Sequence, residues 1–262
     1  MKKHRSQMNN IPYPPLRLRK SVGPIEDSYY ENPDGRLVFE KEVPATNYRS
    51  IFDFGCGCGR VARQLLLQSE AAVGYYLGVD LFAESIEWAQ QNLSQTNPLF
   101  NFKHHDVFNA QFNPLSKHEF APLETENEQF SLVTATSVFT HIIERNLENY
   151  LSECRRIMSC DGIFRATWFL FDKASFPMMQ ESQNCLYINV DDPTNATIYD
   201  YNYVRSMYRK HGMTITAIIP PAVRGFQWLL FARPTSKELV EAPFPDDVAP
   251  LGICRPPANI LD

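Results

Sequence analysis

The chain has 262 residues, of which 44% are hydrophobic and 13% aromatic, so it can bury a sizeable core and is not a disordered or fibrous protein. A net charge of -5 argues against a chain built mainly to hold nucleic acid or an anionic membrane surface. No apolar run reaches the length of a membrane span, and the start is followed by prolines instead of a signal-peptide core, so a cytoplasmic location is expected.

Residues 1–48 read as an N-terminal extension of short helices and turns, rich in proline, tyrosine and charge, and placed to cover something. Its first twenty residues hold Lys2, Lys3, Arg5, Arg17, Arg19 and Lys20 without one Asp or Glu. That arrangement reads as a docking arm or as a solvated terminus. The six cysteines (Cys56, Cys58, Cys154, Cys160, Cys185, Cys254) are sparse and include no Cys-x-x-Cys pair, which suits a reduced compartment. No metal site is expected at Cys56-x-Cys58, because no further ligand pair accompanies it and small residues suit a tight turn.

Regular patterning begins with Ile51-Phe52-Asp53-Phe54, a predicted strand that runs into Gly55-Cys56-Gly57-Cys58-Gly59-Arg60. Glycines at every second position allow positive φ and close backbone approach to a ligand, and the following apolar spacing offers a helix N-terminus. A helix at about 59–68, a strand at about 75–79, a helix at about 83–93 and a strand at about 100–104 follow. Strands alternating with helices predict a parallel sheet. After a polar loop at 106–128 come a strand over Phe130–Ala135, a helix over Leu147–Met158, a turn at Asp161-Gly162 and a strand over Gly162–Leu170.

Residues 172–199 break the rhythm and read either as a lid or as a contact between two copies in a homodimer. Tyr201–Lys210 then predicts a helix, and Met213–Ile219 and Phe226–Arg233 two closing strands. Residues 234–262 read as an irregular tail.

A dinucleotide fingerprint needs two residues before its third glycine, and this chain has one. Asp80 ends the second predicted strand, where a carboxylate can accept hydrogen bonds from both hydroxyls of a ribose. Asp106 follows the third strand and can accept from an exocyclic amine such as that of adenine, with Leu81 and Val107 as apolar contacts to the ring. Each acid alone also reads as a turn former, since Asp is common after strands.

Taken in order, these residues resemble the class I S-adenosylmethionine-dependent methyltransferases from about Ile51 to Arg233. The resemblance implies a Rossmann-like α/β fold. Its mostly parallel seven-stranded sheet would carry an antiparallel last strand and helices on both faces, in a domain at 49–233 with a cap at 172–199. It implies S-adenosylmethionine as cofactor, held by Asp53, Gly55, Cys56, Gly57, Gly59, Asp80, Leu81, Asp106, Val107, Thr136 and Ser137. Asp53 also reads as orienting the glycine turn through backbone N–H groups. The segment Ser137-Val138-Phe139-Thr140-His141 is similar to a variant of small-molecule and sugar-modifying members. Ser131 stands where the family often has Asp, and Cys160-Asp161-Gly162 departs from its usual Pro-Gly-Gly.

S-adenosylmethionine brings its own electrophilic methyl, so the protein mainly aligns a nucleophile and excludes water. A hydroxyl acceptor gains from a general base, and His141 is the candidate; its other reading is a cap or a cofactor contact. His105 reads as packing, and Trp168, Phe169 and Phe171 as acceptor-pocket walls or as core. The function expected is O-methylation of a small molecule, a glycan, glycolipid or secondary metabolite. N-methylation of a small molecule or peptide, or a non-catalytic cofactor-binding module, are the alternatives. A nucleic-acid acceptor is not expected, because Thr134-Ala135-Thr136-Ser137 stands where an Asn/Asp-Pro-Pro-Tyr-like motif belongs.

Overall fold

The computed structural model describes residues 11–221 and 227–244. Lys2, Lys3, Arg5, Phe226, Cys254 and the tail beyond residue 244 lie outside the described residues. The chain forms two compact units, Met1–Leu123 with Gln129–Thr134, and Glu124–Glu128 with Ala135–Asp262.

In the first unit, helix α1 (Leu16–Val22) precedes strand β1 (Ile51–Phe54), helix α2 (Arg60–Leu66), strand β2 (Tyr76–Asp80), helix α3 (Ala83–Ala89) and strand β3 (Phe100–His104). Strand β4 (Phe130–Ala135) contributes all but its last residue. The order is β3-β2-β1-β4, with β1/β2 and β2/β3 parallel and in register from Ile51 opposite Tyr76 and from Tyr76 opposite Phe100. The four residues of β1 are all buried, as a strand covered on both faces requires. Aromatic pairs fill the interior: Tyr76 stacks on Phe100 at 5.0 Å and Phe52 meets Phe130 edge-on at 5.1 Å.

Ser131 has a structural role at the start of β4. Its buried hydroxyl donates to the carbonyls of Asn47 and Ser50 at 2.8 and 2.9 Å and lies 3.1 Å from the Ser50 N–H, while Asn47 Nδ2 donates to the Ser131 carbonyl at 2.7 Å. These bonds fix the start of β4 against the segment leading into β1. The short hydroxyl reaches backbone on both sides of the joint.

The second unit holds helix α4 (Glu144–Ile157), strand β5 (Met158–Phe171), strands β6 (Cys185–Tyr187) and β7 (Thr197–Asp200), helix α5 (Tyr201–Lys210), and strands β8 (Met213–Ile219) and β9 (Trp228–Pro234). Strand β5 carries two partners in succession: Phe164–Trp168 pairs antiparallel with β9, and Phe169–Phe171 pairs parallel with β7. The antiparallel closing strand is therefore present. Among the described residues the strands number nine, because the 172–199 insertion contributes an antiparallel β6/β7 pair that adds to the sheet. A short run with alternating burial (Thr197 and Tyr199 buried, Ile198 half-buried) satisfies its backbone more fully by pairing than as a loose cap. The turn expected at Asp161-Gly162 is absent as a break, since α4 passes directly into β5 and these two residues lie within that strand, Asp161 exposed and Gly162 buried.

Asp200 closes this unit locally. Its carboxylate accepts from the Tyr203 N–H at 2.9 Å, capping α5, and from the Lys173 N–H at 3.0 Å. Trp168 is fully buried, stacked on Phe139 at 4.6 Å, and donates its indole N–H to the Tyr208 hydroxyl at 3.2 Å. It is core, not a pocket wall.

Candidate functional site

The turn after β1 is built by three glycines in the left-handed region, Gly55 (φ 73°), Gly57 (φ 54°) and Gly59 (φ 80°), the last of which caps α2. The space their missing side chains leave at Gly57 and Gly59 is taken by protein. A Cβ on Gly57 would stand 2.2 Å from Val22 Cγ1, and one on Gly59 would stand 2.4 Å from Leu93 Cδ1. Leu93 lies where α3 widens into a π-helical turn, Gln90–Ser94. Close approach is thus needed at these two positions for packing on both sides of the turn, a reason that the glycine spacing alone does not reveal.

Asp80, at the carboxyl end of β2, anchors the same turn. Its Oδ2 accepts the Gly57 N–H at 2.8 Å and its Oδ1 the Phe82 N–H at 2.8 Å. Burial raises its pKa above the ordinary carboxylate value, opposed by the hydrogen bonds from Phe82 and Gly57. Each carboxylate oxygen keeps a second lone pair, so the group still fits a ligand with two adjacent hydroxyls. Asp53 lies deeper, 2% exposed, and its Oδ2 accepts the Tyr76 hydroxyl at 2.6 Å. Asp80 is thus the acid that takes the turn's Gly57 N–H.

Cys56 and Cys58 are buried thiols whose pKa values burial pushes up, that of Cys58 to about 11. Among the described residues no group of His, Cys, Asp and Glu is arranged to hold a metal ion. Leu81 is half-buried, and its carbonyl lies 3.0 Å from His104 Nε2. Asp106 is exposed and accepts from Asn113 Nδ2 at 3.0 Å, a bond that holds its carboxyl below the usual carboxylate range. Val107 is buried beside it, and His105 is buried edge-on to Phe54 at 6.0 Å.

In the second unit, Thr136 and Ser137 follow β4 directly. Ser137 has φ 59°, a left-handed conformation rare for a residue with a side chain. Two contacts hold it there: its N–H donates to Thr167 Oγ1 at 2.7 Å, and its hydroxyl donates to Gln227 Oε1 at 3.0 Å. Arg165, 8% exposed, donates to Thr136 Oγ1 at 2.9 Å. The His141 side chain is exposed, and its Nδ1 lies 2.8 Å from the Thr194 carbonyl. A carbonyl only accepts, so Nδ1 carries the proton and Nε2 of the neutral ring presents a lone pair.

Sequence reasoning missed Arg63, Val22 and Tyr30, which hold the extension to the glycine turn, and Gln227, Arg165 and Thr167, which hold Thr136 and Ser137. Arg63 did leave a signal, an arginine between Ala62 and Leu65 on the apolar face of α2.

A family model described as a methyltransferase domain matches residues 52–164. The chain is also similar in structure to a putative S-adenosylmethionine-dependent methyltransferase from Listeria monocytogenes, with 17% identity, a TM-score of 0.50, and 75% of this chain and 96% of that one covered. A SAM-dependent methyltransferase from Aquifex aeolicus matches at 13% identity and a TM-score of 0.51, over 86% of this chain and 100% of that one. A putative methyltransferase from Haloferax volcanii, solved in complex with the Trm112 methyltransferase activator, matches at 14% identity and a TM-score of 0.51, over 72% of this chain and 84% of that one. At these identities the solved structures speak for the fold alone.

Proposed function

We propose that the chain, whose residues 52–164 match a methyltransferase domain, is an S-adenosylmethionine-dependent methyltransferase that methylates a hydroxyl of a small molecule such as a glycan, glycolipid or secondary metabolite. In this reading the first unit holds the donor. Asp80 receives the ribose hydroxyls, Asp106 with Leu81 and Val107 meets the adenine, and the turn Asp53 to Gly59 lines the methionine part. When bound, S-adenosylmethionine supplies a methyl on a positively charged sulfur, ready for in-line displacement.

His141 is the proton acceptor in this proposal. The observation that carries it is the 2.8 Å contact between His141 Nδ1 and the Thr194 carbonyl, which in the neutral ring puts the proton on Nδ1 and a lone pair on Nε2. A hydroxyl becomes a better nucleophile as its proton leaves, so an accepting nitrogen is the group an O-methyltransferase needs. A neutral amine acceptor needs such a base less, which is why the hydroxyl is favoured over nitrogen.

The test is a screen of sugars, glycolipids, phenols and amines with isotopically labelled S-adenosylmethionine, the product's methyl position being read by mass spectrometry and NMR. Methyl on oxygen supports the reading, and methyl on nitrogen replaces it with the alternative. Failure of both S-adenosylmethionine and S-adenosylhomocysteine to bind in calorimetry ends it.

A further inference from the structure

The segment Ile11 to Tyr30 lies across both loops that the donor reading assigns to the cofactor. Val22 packs directly on Gly57, as the 2.2 Å separation from the absent Cβ requires. Leu18, Tyr30 and Cys58 form one buried apolar cluster, against which Tyr13, Val22, Phe82 and Trp88 pack. Cys58 belongs to the glycine turn, and Phe82 follows Asp80 by two residues. Helix α1 therefore bridges the turn after β1 and the loop after β2.

The manner of attachment differs along the segment. Its two ends are stapled to α2 by Arg63, which is fully buried and donates to the carbonyls of Ile11 at 3.0 Å, Pro12 at 3.3 Å and Tyr30 at 2.6 Å. Arg19 ties the segment to itself, donating to the carbonyls of Pro14 at 2.7 Å and Ile25 at 2.9 Å and pairing with Asp27 at 2.5 Å. Among the described residues, Leu16–Val22 meets the rest of the unit through apolar packing and the half-exposed Arg17–Glu84 ion pair. Among the described residues no hydrogen bond joins Leu16–Val22 to the turn it covers, so releasing it costs the burial of Leu18 and Val22 but breaks no hydrogen bond to that turn. The middle can lift while the ends stay pinned.

We propose that Leu16–Val22 is a lid on the donor site, hinged between the two places where Arg63 holds its flanks. It rests on the donor reading above. The lid closes over the glycine turn with cofactor bound and opens to let the spent product leave, so opening limits exchange of S-adenosylhomocysteine.

The test uses the full chain and two readouts, stopped-flow dissociation of S-adenosylhomocysteine and the rate at which N-ethylmaleimide labels Cys58, followed by peptide fragmentation. Leu18→Ala removes the buried anchor of α1 and should raise both rates at least fivefold; Arg17→Ala, which touches only the half-exposed ion pair, should raise them by about twofold and serves if the first variant does not fold. In the unaltered protein, S-adenosylhomocysteine should slow Cys58 labelling at least tenfold. Binding with dissociation and labelling unchanged in the variants would overturn the lid alone. No binding of S-adenosylhomocysteine to the unaltered protein would overturn the donor reading and the lid together.

Discussion

Asp80 Oδ2 accepts the backbone N–H of Gly57 across 2.8 Å, so the acid ending β2 fixes the glycine turn that follows β1. One carboxylate thus shapes the turn and still offers lone pairs to a ligand. Asp80→Ala should weaken S-adenosylhomocysteine binding by about 1 to 3 kcal/mol, read by calorimetry. Unchanged affinity would place the ribose elsewhere.

The same residue sets a pH dependence. Burial raises its folded pKa, so between its unfolded and folded values the folded protein holds a proton that the unfolded chain has released. Its contribution to stability is full below the unfolded value and is lost as pH rises through the folded value. Donor affinity runs the other way, because the protonated carboxyl accepts fewer hydrogen bonds. Affinity should begin to fall, on acidification, at a higher pH than an ordinary aspartate predicts, and should lose that inflection in Asp80→Ala.

Gly57→Ala imposes a left-handed alanine, at about 1 to 2 kcal/mol, and drives the new methyl into Val22. Adding Val22→Ala should recover the clash but not the backbone cost. Thermal denaturation of the two single variants and the double variant measures the coupling; strict additivity would mean that Val22 does not rest on this turn.

Ser131→Ala leaves the N–H of Ser50 and the carbonyls of Asn47 and Ser50 without that hydroxyl. Denaturant unfolding should show a loss of about 1 to 3 kcal/mol. A neutral result would mean that Asn47 and the backbone bonds of Ser131 and Leu132 to the Ser50 carbonyl hold the joint without the hydroxyl.

Trp168→Phe removes the donor to Tyr208 and part of the stack on Phe139, so stability should fall by about 1 to 3 kcal/mol. Because Trp168 is core, the KM for whatever acceptor the screen finds should not move. A selective rise in KM would restore the tryptophan to the pocket wall.

His141→Ala should lower turnover at saturating donor and acceptor by roughly a hundredfold or more, with little effect on donor affinity, if His141 is the base. Lost affinity with intact turnover would make it a binding residue.

Apolar periodicity and turn chemistry are local properties of the chain, so β1 and β3, helix α5, the parallel first unit and the order of acids and glycines could be read from the residues alone. Ile51–Phe54, Phe100–His104 and Tyr201–Lys210 were legible for that reason. Contacts between distant segments settle that the insertion pairs as β6/β7, that Trp168 is core, that the Cβ positions of Gly57 and Gly59 face Val22 and Leu93, and that Arg63 grips the carbonyls of Ile11 and Pro12. These depend on which distant side chain fills a given space or satisfies a given carbonyl. Close packing and hydrogen-bond satisfaction settle such matters between residues that no local pattern connects.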